Sequence, residues 1–382
     1  MITPLGDSTS TMEQLKRARC GIKSQSCGKK DFMLGSVASV LPLPESVDER
    51  FTTRTNTLLY NALLPHMELI ERLQNLVGND IFISIGTTNS GVEENYHDFE
   101  RGVINQLAPH RAALSNGADF IAHILGLKVP TLGISTACTS GGKALIAAAR
   151  AIRAGLYDVA ICGGADGLSA LSIYGFDSLQ ILSSTQSAPF DRNRNGINIG
   201  EGAALFVMVS ERVYLELHSS FPLLLEGYAS NNDAFHITKP SDCFDMQRLL
   251  LQDALKMARL TPQEIDYINL HGTGSEANDF MEGSVINEIF SHRTPCGSTK
   301  MLLGHSLGAA GAIEAAICGA LILDSLTQQT TSLPPHIIKC YDDKIPPIHL
   351  ANAKQVSLKH ALSTSFAFGG DNSALIIGAA HA

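Results

Sequence analysis

Two kinds of apolar segment alternate along the chain and predict its elements. Short runs rich in small and β-branched residues have strand length and adjoin glycines, for example residues 159–166 (VAICGGAD) and 200–208 (GEGAALFVM). Longer stretches carry apolar residues at helical spacing, and Lys143–Ala154 is the clearest of them. Because strands that are apolar throughout lie in buried sheets, this alternation predicts an α/β fold with helices on the sheet faces.

The pattern occurs in both parts of the chain, which suggests two similar halves. Near the C-terminus, Ser363–Asn372 followed by residues 373–378 (SALIIG) resembles the glycine-to-strand pattern of residues 200–208. Charged residues separate two apolar runs at Ser210–Phe221. We therefore place the halves at 1–215 and 216–382, although their residue identities are too different to establish a repeat.

Composition is typical of a soluble globular protein. Of the 382 residues, 45% are hydrophobic and 17% are charged, which is enough apolar material for a large core. The net charge of −9 argues against nucleic acid and anionic membranes as partners, and an acidic partner would need a local basic patch. The apolar segment Leu307–Leu323 carries Glu314 and is too short to span a bilayer, so it predicts a buried core helix.

The cysteines and the first residues favour a cytoplasmic location. None of the eight cysteines forms a CxxC pair or a cluster with zinc-ligand spacing, so we expect reduced thiols and no metal. Residues 1–7 lack the basic and apolar regions of a signal peptide. No glycine-rich loop has dinucleotide or Walker spacing, so no nucleotide cofactor is expected.

Cys138 lies at a predicted strand–turn–helix junction. Residues 133–142 (GISTACTSGG) lead from a β-branched run through small residues into the Lys143–Ala154 helix. Unpaired N–H groups at a helix start favour a thiolate with a lowered pKa and can stabilise an oxyanion. A lone cysteine is more often a buried structural residue, and other segments must decide between the two interpretations.

Three later segments favour the catalytic interpretation: residues 270–282 (LHGTGSEANDFME), 298–311 (STKMLLGHSLGAAG) and 365–372 (SFAFGGDN). With the Cys138 turn they resemble β-ketoacyl-acyl-carrier-protein synthases of the elongating type, which use a Cys-His-His triad. The four motifs occur in the family's order and near its spacing, over nearly the whole chain. The resemblance implies a thiolase-like fold, with two halves giving α-β-α-β-α layers and two mixed five-stranded sheets.

The resemblance also implies the reaction, a decarboxylating Claisen condensation. Cys138 would hold an acyl group as a thioester, and His271 and His305 would each donate an N–H to the enolate formed from a malonyl thioester. Lys300 would orient His305 or a carboxylate, and Glu282, expected in the first turn of its helix, is the candidate carboxylate.

Further residues match substrate-contacting positions of the family. The backbone N–H groups of Cys138 and Phe368 would form the oxyanion hole, and Phe368 also matches a gate to the acyl pocket. The remaining matches are two positions that bind the pantetheine arm and two aromatic residues of the acyl pocket and gate turn: Thr273, Ser275, Phe176 and Phe366. The chain departs from the pattern where the family usually has Gly, Thr and a carrier-binding Arg, at Ala367, Asp371 and Gln180.

Two other kinds of function share some of these features. A chain-length-factor-like subunit shapes a partner's pocket but typically lacks the nucleophile, which this chain has. Thiolases place a second Cys in the turn at 366–370, and initiating synthases pair the Cys with His and Asn. The expected partners are an acyl carrier protein bearing phosphopantetheine and a second subunit, either another copy or a chain-length-factor-like paralogue. Segment 86–116 and the short chain suggest a specialised type II polyene or polyketide system.

Overall fold

Sixteen strands form the framework of the protein, as seen in a computed structural model that describes residues 1–103, 106–217 and 221–380. They are β1 (Ile2–Thr3), β2 (Gly6–Asp7), β3 (Lys23–Cys27), β4 (Lys30–Gly35), β5 (Ile81–Gly86), β6 (Thr131–Ile134), β7 (Val159–Asp166), β8 (Ile199–Gly200), β9 (Gly202–Val209), β10 (Leu223–Asn232), β11 (Tyr267–Asn269), β12 (Cys296–Gly297), β13 (Thr331–Ser332), β14 (Gln355–Val356), β15 (His360–Phe366) and β16 (Asp371–Ala379).

Thirteen α-helices lie between these strands in the described ranges. They are α1 (Ser8–Lys16), α2 (Arg54–Leu63), α3 (Met67–Val77), α4 (Val92–Glu100), α5 (Ala108–Ala112), α6 (Asn116–Ile124), α7 (Ser140–Arg153), α8 (Ala170–Ser178), α9 (Glu211–Leu217), α10 (Asp245–Ala258), α11 (Glu276–Phe290), α12 (Lys300–Leu303) and α13 (Ala310–Gln328). The predicted helix at Lys143–Ala154 corresponds to α7, which begins three residues earlier.

The two main sheets share one strand arrangement. Their orders are β2-β1-β9-β7-β5-β6 and β10-β16-β15-β11-β12. Counted from β1 in the first sheet and from β10 in the second, the successive pairings are antiparallel, antiparallel, parallel and parallel in both sheets. Taken in chain order, the strands of each five-stranded set also occupy the same successive positions in their sheet. This matching topology establishes the two similar halves that the residue identities could not.

The thiolase-like α/β fold expected from the motifs is confirmed. The first sheet differs in having a sixth strand, because Gly6 adopts a φ of 110° that lets β2 fold back on β1 with Thr3 paired to Gly6. The first sheet ends at Val209 and the second begins at Leu223. Residues 218–220 of the expected boundary lie outside the described residues, as do residues 104 and 105 of segment 86–116, and the boundary at 215 stays a prediction.

Helices α7 and α13 form the middle layer, between the two sheets and in contact with each other. Small residues allow this close approach: a Cβ on Gly141 of α7 would meet the Ala312 Cβ of α13 at 3.0 Å. Helices α2 and α6 cover the outer face of the first sheet, and α10 covers the second. These layers place the starts of α7 and α13 together at the centre of the molecule.

The segment predicted as a core helix is buried, but its predicted length was wrong. With a preceding 3-10 turn it runs over Leu307–Gln328, which by length and composition alone is enough to cross a membrane, and it is the only such helix in the described ranges. However, 78% of the most apolar 18-residue stretch of this helix is buried inside the protein. Its apolar side chains therefore serve the packing of the middle layer.

Candidate active site

Cys138 lies in a tight turn between β6 and α7, two residues before the helix begins. Ala137 has a φ of 53°, a left-handed conformation that is uncommon for a residue with a side chain. The Ser140 hydroxyl holds this turn, because it accepts from the Thr136 N–H at 2.9 Å and donates to the Ala137 carbonyl at 2.6 Å. The turn therefore fixes the direction of the Cys138 side chain, which is 7% exposed.

His305 occupies the equivalent place in the second half, between α12 and α13. Gly304 precedes it with a φ of 79°, and the His305 N–H donates to the Asn198 carbonyl at 2.7 Å. Its Nε2 lies 2.9 Å from Sγ of Cys138, which makes a direct thiol–imidazole contact. In the described part of the chain its Nδ1 has no hydrogen-bond partner.

His271 follows β11 and completes a triad with these two residues. Its ring lies 5.4 Å from that of His305, nearly perpendicular to it. Nδ1 of His271 lies 3.3 Å from Nζ of Lys300. Because an ammonium can only donate, Nδ1 accepts and the ring proton is left on Nε2.

Lys300 pairs with a carboxylate other than the expected one. Its Nζ donates a hydrogen bond to the carboxylate of Glu314 in α13, and both side chains are buried. Glu282 lies in the middle of α11 rather than in its first turn. It accepts from the backbone N–H groups of His271 and Gly272, both at 2.7 Å. The prediction that Glu282 partners Lys300 was therefore wrong, since Glu282 instead holds the loop that carries His271.

Burial sets the protonation of the triad. Burial raises the pKa of the Cys138 thiol to about 12, although the Lys300 ammonium opposes this. The expectation of a lowered pKa was wrong, because the cost of desolvating the charged thiolate exceeds the help from the Lys300 ammonium and from the backbone N–H groups of Phe368 and Cys138. Burial and then the Lys300 charge lower the pKa of both His271 and His305 well below the usual range. Near neutral pH the resting site therefore holds a thiol and two neutral imidazoles.

Burial also raises the pKa of both site carboxyls to about 7. For Glu282 the opposing contacts are the Gly272 N–H and the Thr364 hydroxyl, and for Glu314 the opposing group is the Lys300 ammonium. These contacts compensate a charge that would otherwise be costly so far from water.

A cavity of about 370 Å³ opens onto the triad, and its lining is largely apolar. Among the predicted site residues it is lined by Cys138, His271, His305, Thr273, Ser275, Phe176, Phe366 and Phe368. Phe176 and Phe368 stack across it, with ring centroids 5.7 Å apart and planes 16° from parallel. Lys300 and Glu282 lie behind this wall, so the structure brings all ten predicted residues to one site.

The turn that carries Phe368 also reaches the nucleophile. The backbone N–H groups of Phe368 and Cys138 both approach the Cys138 sulfur closely enough to favour its thiolate. Gly369 and Gly370 have φ values of 82° and 73°, which glycine permits at no steric cost. Ala367 has a φ of −100°, so an alanine fits this conformation of the turn without strain.

The triad also has the dimensions of a metal-binding cluster, although no metal was expected. The ligand atoms of Cys138, His271 and His305 all lie within 4.8 Å of one another. The Lys300 ammonium, 3.3 Å from His271, would repel a cation held there. The donor set is therefore better suited to moving protons and binding an oxyanion than to holding a metal.

This fold and site define a thiol-dependent acyl-transfer enzyme, and two family models match the chain. Beta-ketoacyl synthase, N-terminal domain, matches residues 46–213, and Beta-ketoacyl synthase, C-terminal domain, matches residues 224–333. The Tetracenomycin polyketide synthase ketoacyl synthase alpha subunit of Streptomyces glaucescens is 31% identical over 78% of this chain and 74% of its own. The chain belongs to the beta-ketoacyl synthase family.

Other relatives agree with this assignment. The 3-oxoacyl-[acyl-carrier-protein] synthase 2 of Rhizobium meliloti (strain 1021) is 34% identical over 66% of this chain, which spans 61% of that protein. A solved complex of a ketosynthase (ApeO) with its chain length factor (ApeC) from Xenorhabdus doucetiae matches with a TM-score of 0.90 and 35% identity, over 99% of this chain and 96% of that one. The chain is therefore an acyltransferase-type condensing enzyme, as the motifs predicted.

Several residues at this site had no signal in the sequence that we recognised. Glu314 was visible only as a lone carboxylate in an apolar helix, and that isolation is the signal that could have found it. Thr364, which donates to Glu282 at 2.8 Å, lies within a strand like many other threonines. Lys143 and Asp371 form an ion pair next to the triad, and only the departure at Asp371 pointed to them.

Proposed function

We propose that this chain condenses a Cys138-bound acyl group with a malonyl group on an acyl carrier protein, in fatty-acid-like or type II polyketide elongation. The observation that carries the proposal is the 2.9 Å contact between Nε2 of His305 and Sγ of Cys138, with His271 beside it. The apolar cavity at this contact suits an acyl chain.

In the first half-reaction the Cys138 sulfur attacks the carbonyl carbon of an acyl thioester. His305 accepts the thiol proton at Nε2 and returns it to the departing carrier thiolate, since an imidazolium with a lowered pKa releases its proton readily. The backbone N–H groups of Cys138 and Phe368 stabilise the oxyanion of the tetrahedral intermediate. One thioester breaks as another forms, so the exchange needs no external energy source.

In the second half-reaction a malonyl thioester loses CO2. The electron pair of the broken carbon–carboxylate bond passes into an enolate, whose oxygen lies between the two imidazoles and accepts from Nε2–H of His271. Once Cys138 is acylated its sulfur has no proton to give to Nε2 of His305, so the neutral His305 ring takes the tautomer with its proton on Nε2 and donates to the same oxygen. The contact with Lys300 keeps the His271 proton on Nε2. The enolate carbon then attacks the Cys138-bound carbonyl, the carbon–sulfur bond breaks, and the released Cys138 thiolate takes up one proton, supplied from solvent through His305, to regenerate the thiol.

The substrates and partners follow from this chemistry. Both acyl groups would arrive on the phosphopantetheine arm of an acyl carrier protein, past Thr273 and Ser275 at the cavity wall, and no further cofactor is required. β6 lies at the edge of the first sheet with Leu132 39% exposed, which favours a second subunit there. The similar complex of a ketosynthase with its chain length factor supports a heterodimer, with a homodimer as the alternative. Eight free cysteines support a cytoplasmic location.

Intact-mass measurement of the purified protein tests this function. With acyl carriers of different chain lengths, alone and with a candidate paralogue, the protein should gain the mass of one acyl group, and Cys138→Ala should not. His271→Ala should still acylate but decarboxylate malonyl carrier about 100- to 1,000-fold more slowly, because it lacks one enolate donor. A folded protein that accepts no acyl group under any of these conditions would support the non-catalytic subunit instead.

A further inference from the structure

A shielded ion pair joins the turn that carries Phe368 to the helix that follows Cys138. Asp371 begins β16 three residues after Phe368, and Lys143 lies near the start of α7. Nζ of Lys143 is 2.6 Å from the Asp371 carboxylate, whose Oδ1 lies 2.9 Å from the Thr139 hydroxyl. The Lys143 and Asp371 side chains are only 20% and 16% exposed, so solvent screens their attraction less than that of surface pairs.

The pair links two short segments, the Phe368 turn and the Cys138 turn, through hydrogen bonds on both sides. The backbone carbonyl of Asp371 accepts from the Ala367 N–H at 2.7 Å. The Gly370 N–H donates to the Ala367 carbonyl at 3.2 Å, which closes the same turn. On the other side, Thr139 directly follows Cys138. Holding the Asp371 side chain against Thr139 and Lys143 therefore also holds the Phe368 turn against the Cys138 turn.

We infer that Lys143 and Asp371 are positioning residues that set the separation of the Phe368 and Cys138 N–H groups, the two donors of the oxyanion hole. The inference rests on the proposed function. An oxyanion hole stabilises a transition state only when both donors are within hydrogen-bond distance of the same oxygen. The ion pair crosses the boundary between the segments that carry these donors, and it does not touch either histidine ring.

This arrangement predicts that the two half-reactions differ in their dependence on the pair. Acyl transfer to Cys138 needs the oxyanion hole. Decarboxylation needs the imidazoles of His271 and His305, which are held by Lys300 and by the backbone around Asn198. A loss of general stability would slow both half-reactions together, so their ratio distinguishes positioning from a merely structural role.

The test compares wild type with Asp371→Ala, Lys143→Met and the charge exchange Lys143→Asp/Asp371→Lys. Intact mass measures acylation. Decarboxylation of malonyl carrier is assayed without an acyl donor, as the loss of CO2. The matched control is Asp324→Ala, because Asp324 also binds one lysine and one threonine, Lys16 at 2.5 Å and Thr331 at 2.6 Å, at similar exposure and on another part of the protein.

We expect each single variant to acylate about 10- to 100-fold more slowly while decarboxylation stays within about threefold of wild type, and the exchange to recover part of the acylation rate. Asp324→Ala should change neither rate. Acylation within twofold of wild type in both single variants would overturn the inference, as would an equal loss of both half-reactions. Failure of wild type itself to acylate would instead contradict the proposed function.

Discussion

Cys138 and His305 touch through a thiol and a neutral imidazole rather than through an ion pair. Burial disfavours the charged form of each residue, so the pKa of the thiol rises and that of the imidazole falls. In the proposed mechanism the site therefore forms its nucleophile during the reaction, by passing the thiol proton to His305, and does not store a thiolate at rest.

The pH dependence of alkylation tests this protonation state. A thiol whose pKa is raised to about 12 gains about tenfold more thiolate for each pH unit, so the rate of iodoacetamide labelling at Cys138 should rise about tenfold per unit between pH 7 and 9. Peptide mapping measures this rate, with the exposed Cys340 as an internal comparison. A rate at Cys138 that does not change over this range would contradict the raised pKa of the thiol.

In the proposed mechanism, Lys300 and Glu314 support the second half-reaction. In Lys300→Met, His271 loses the donor that keeps its proton on Nε2, and Glu314 loses the cation that compensates its burial. We expect decarboxylation to fall at least about 100-fold and acylation less than about tenfold. Separate assays of the two half-reactions measure this, and Lys16→Met, which breaks a distant lysine–aspartate pair, is the control. Equal loss of both half-reactions would contradict the assigned role.

The sequence predicted the site residues that lie inside recognisable motifs. The residues around Cys138, His271 and His305 are contiguous, so each motif could be read locally. Glu314 could not be assigned in this way, because its contact with Lys300 depends on how α12 packs against α13. The role of Glu282 was misjudged for a related reason: only the fold shows that its carboxylate faces two backbone N–H groups.

At the scale of elements, the packing of α7 on α13 decides whether the two reacting side chains meet. Cys138 precedes α7 and His305 precedes α13, so any change in the distance between these helices changes the distance from sulfur to imidazole. Gly141 faces Ala312 across this contact, where there is no room for a larger side chain at position 141.

Gly141→Ala should separate the two helices. The added Cβ would lie 2.9 Å from the Gly308 carbonyl oxygen and 3.0 Å from the Ala312 Cβ. We expect the free energy of unfolding to fall by about 1–3 kcal/mol and the acylation rate to fall with it. Urea unfolding and intact mass measure the two effects. Gly175→Ala, in the exposed part of α8 where the new Cβ meets nothing within 4 Å, should be neutral or stabilising, and equal stability of the two variants would contradict the packing argument.

The apolar pattern predicted several elements, because buried strands and helices differ in length and period. It predicted β7, β9 and α7 and the alternation of strands and helices. It could not show that the two halves have one topology, since topology depends on strand pairing rather than on residue identity. The sixth strand of the first sheet was missed because β1 and β2 have two residues each, too few to show a period.

At the scale of the whole molecule, the first sheet ends in an edge strand that a second subunit would cover. Leu132 on β6 is 39% exposed, and an apolar residue on an open edge is a liability in a free monomer. We expect light scattering to show a dimer, formed by this chain alone or with a paralogue, and Leu132→Glu to weaken it. Leu249→Glu, at 44% exposure on α10, is the control, and a stable monomer with full condensing activity would exclude the shared interface.

Because Cys138 and His305 come from different halves of the chain, their 2.9 Å contact also measures how closely those halves are docked. Small shifts between α7 and α13 alter a reaction rate steeply, whereas they change the amount of buried surface very little. Catalysis should therefore be lost at lower denaturant concentration than secondary structure. The acylation rate is in this sense a more sensitive reporter of partial opening than any spectroscopic measure of the fold.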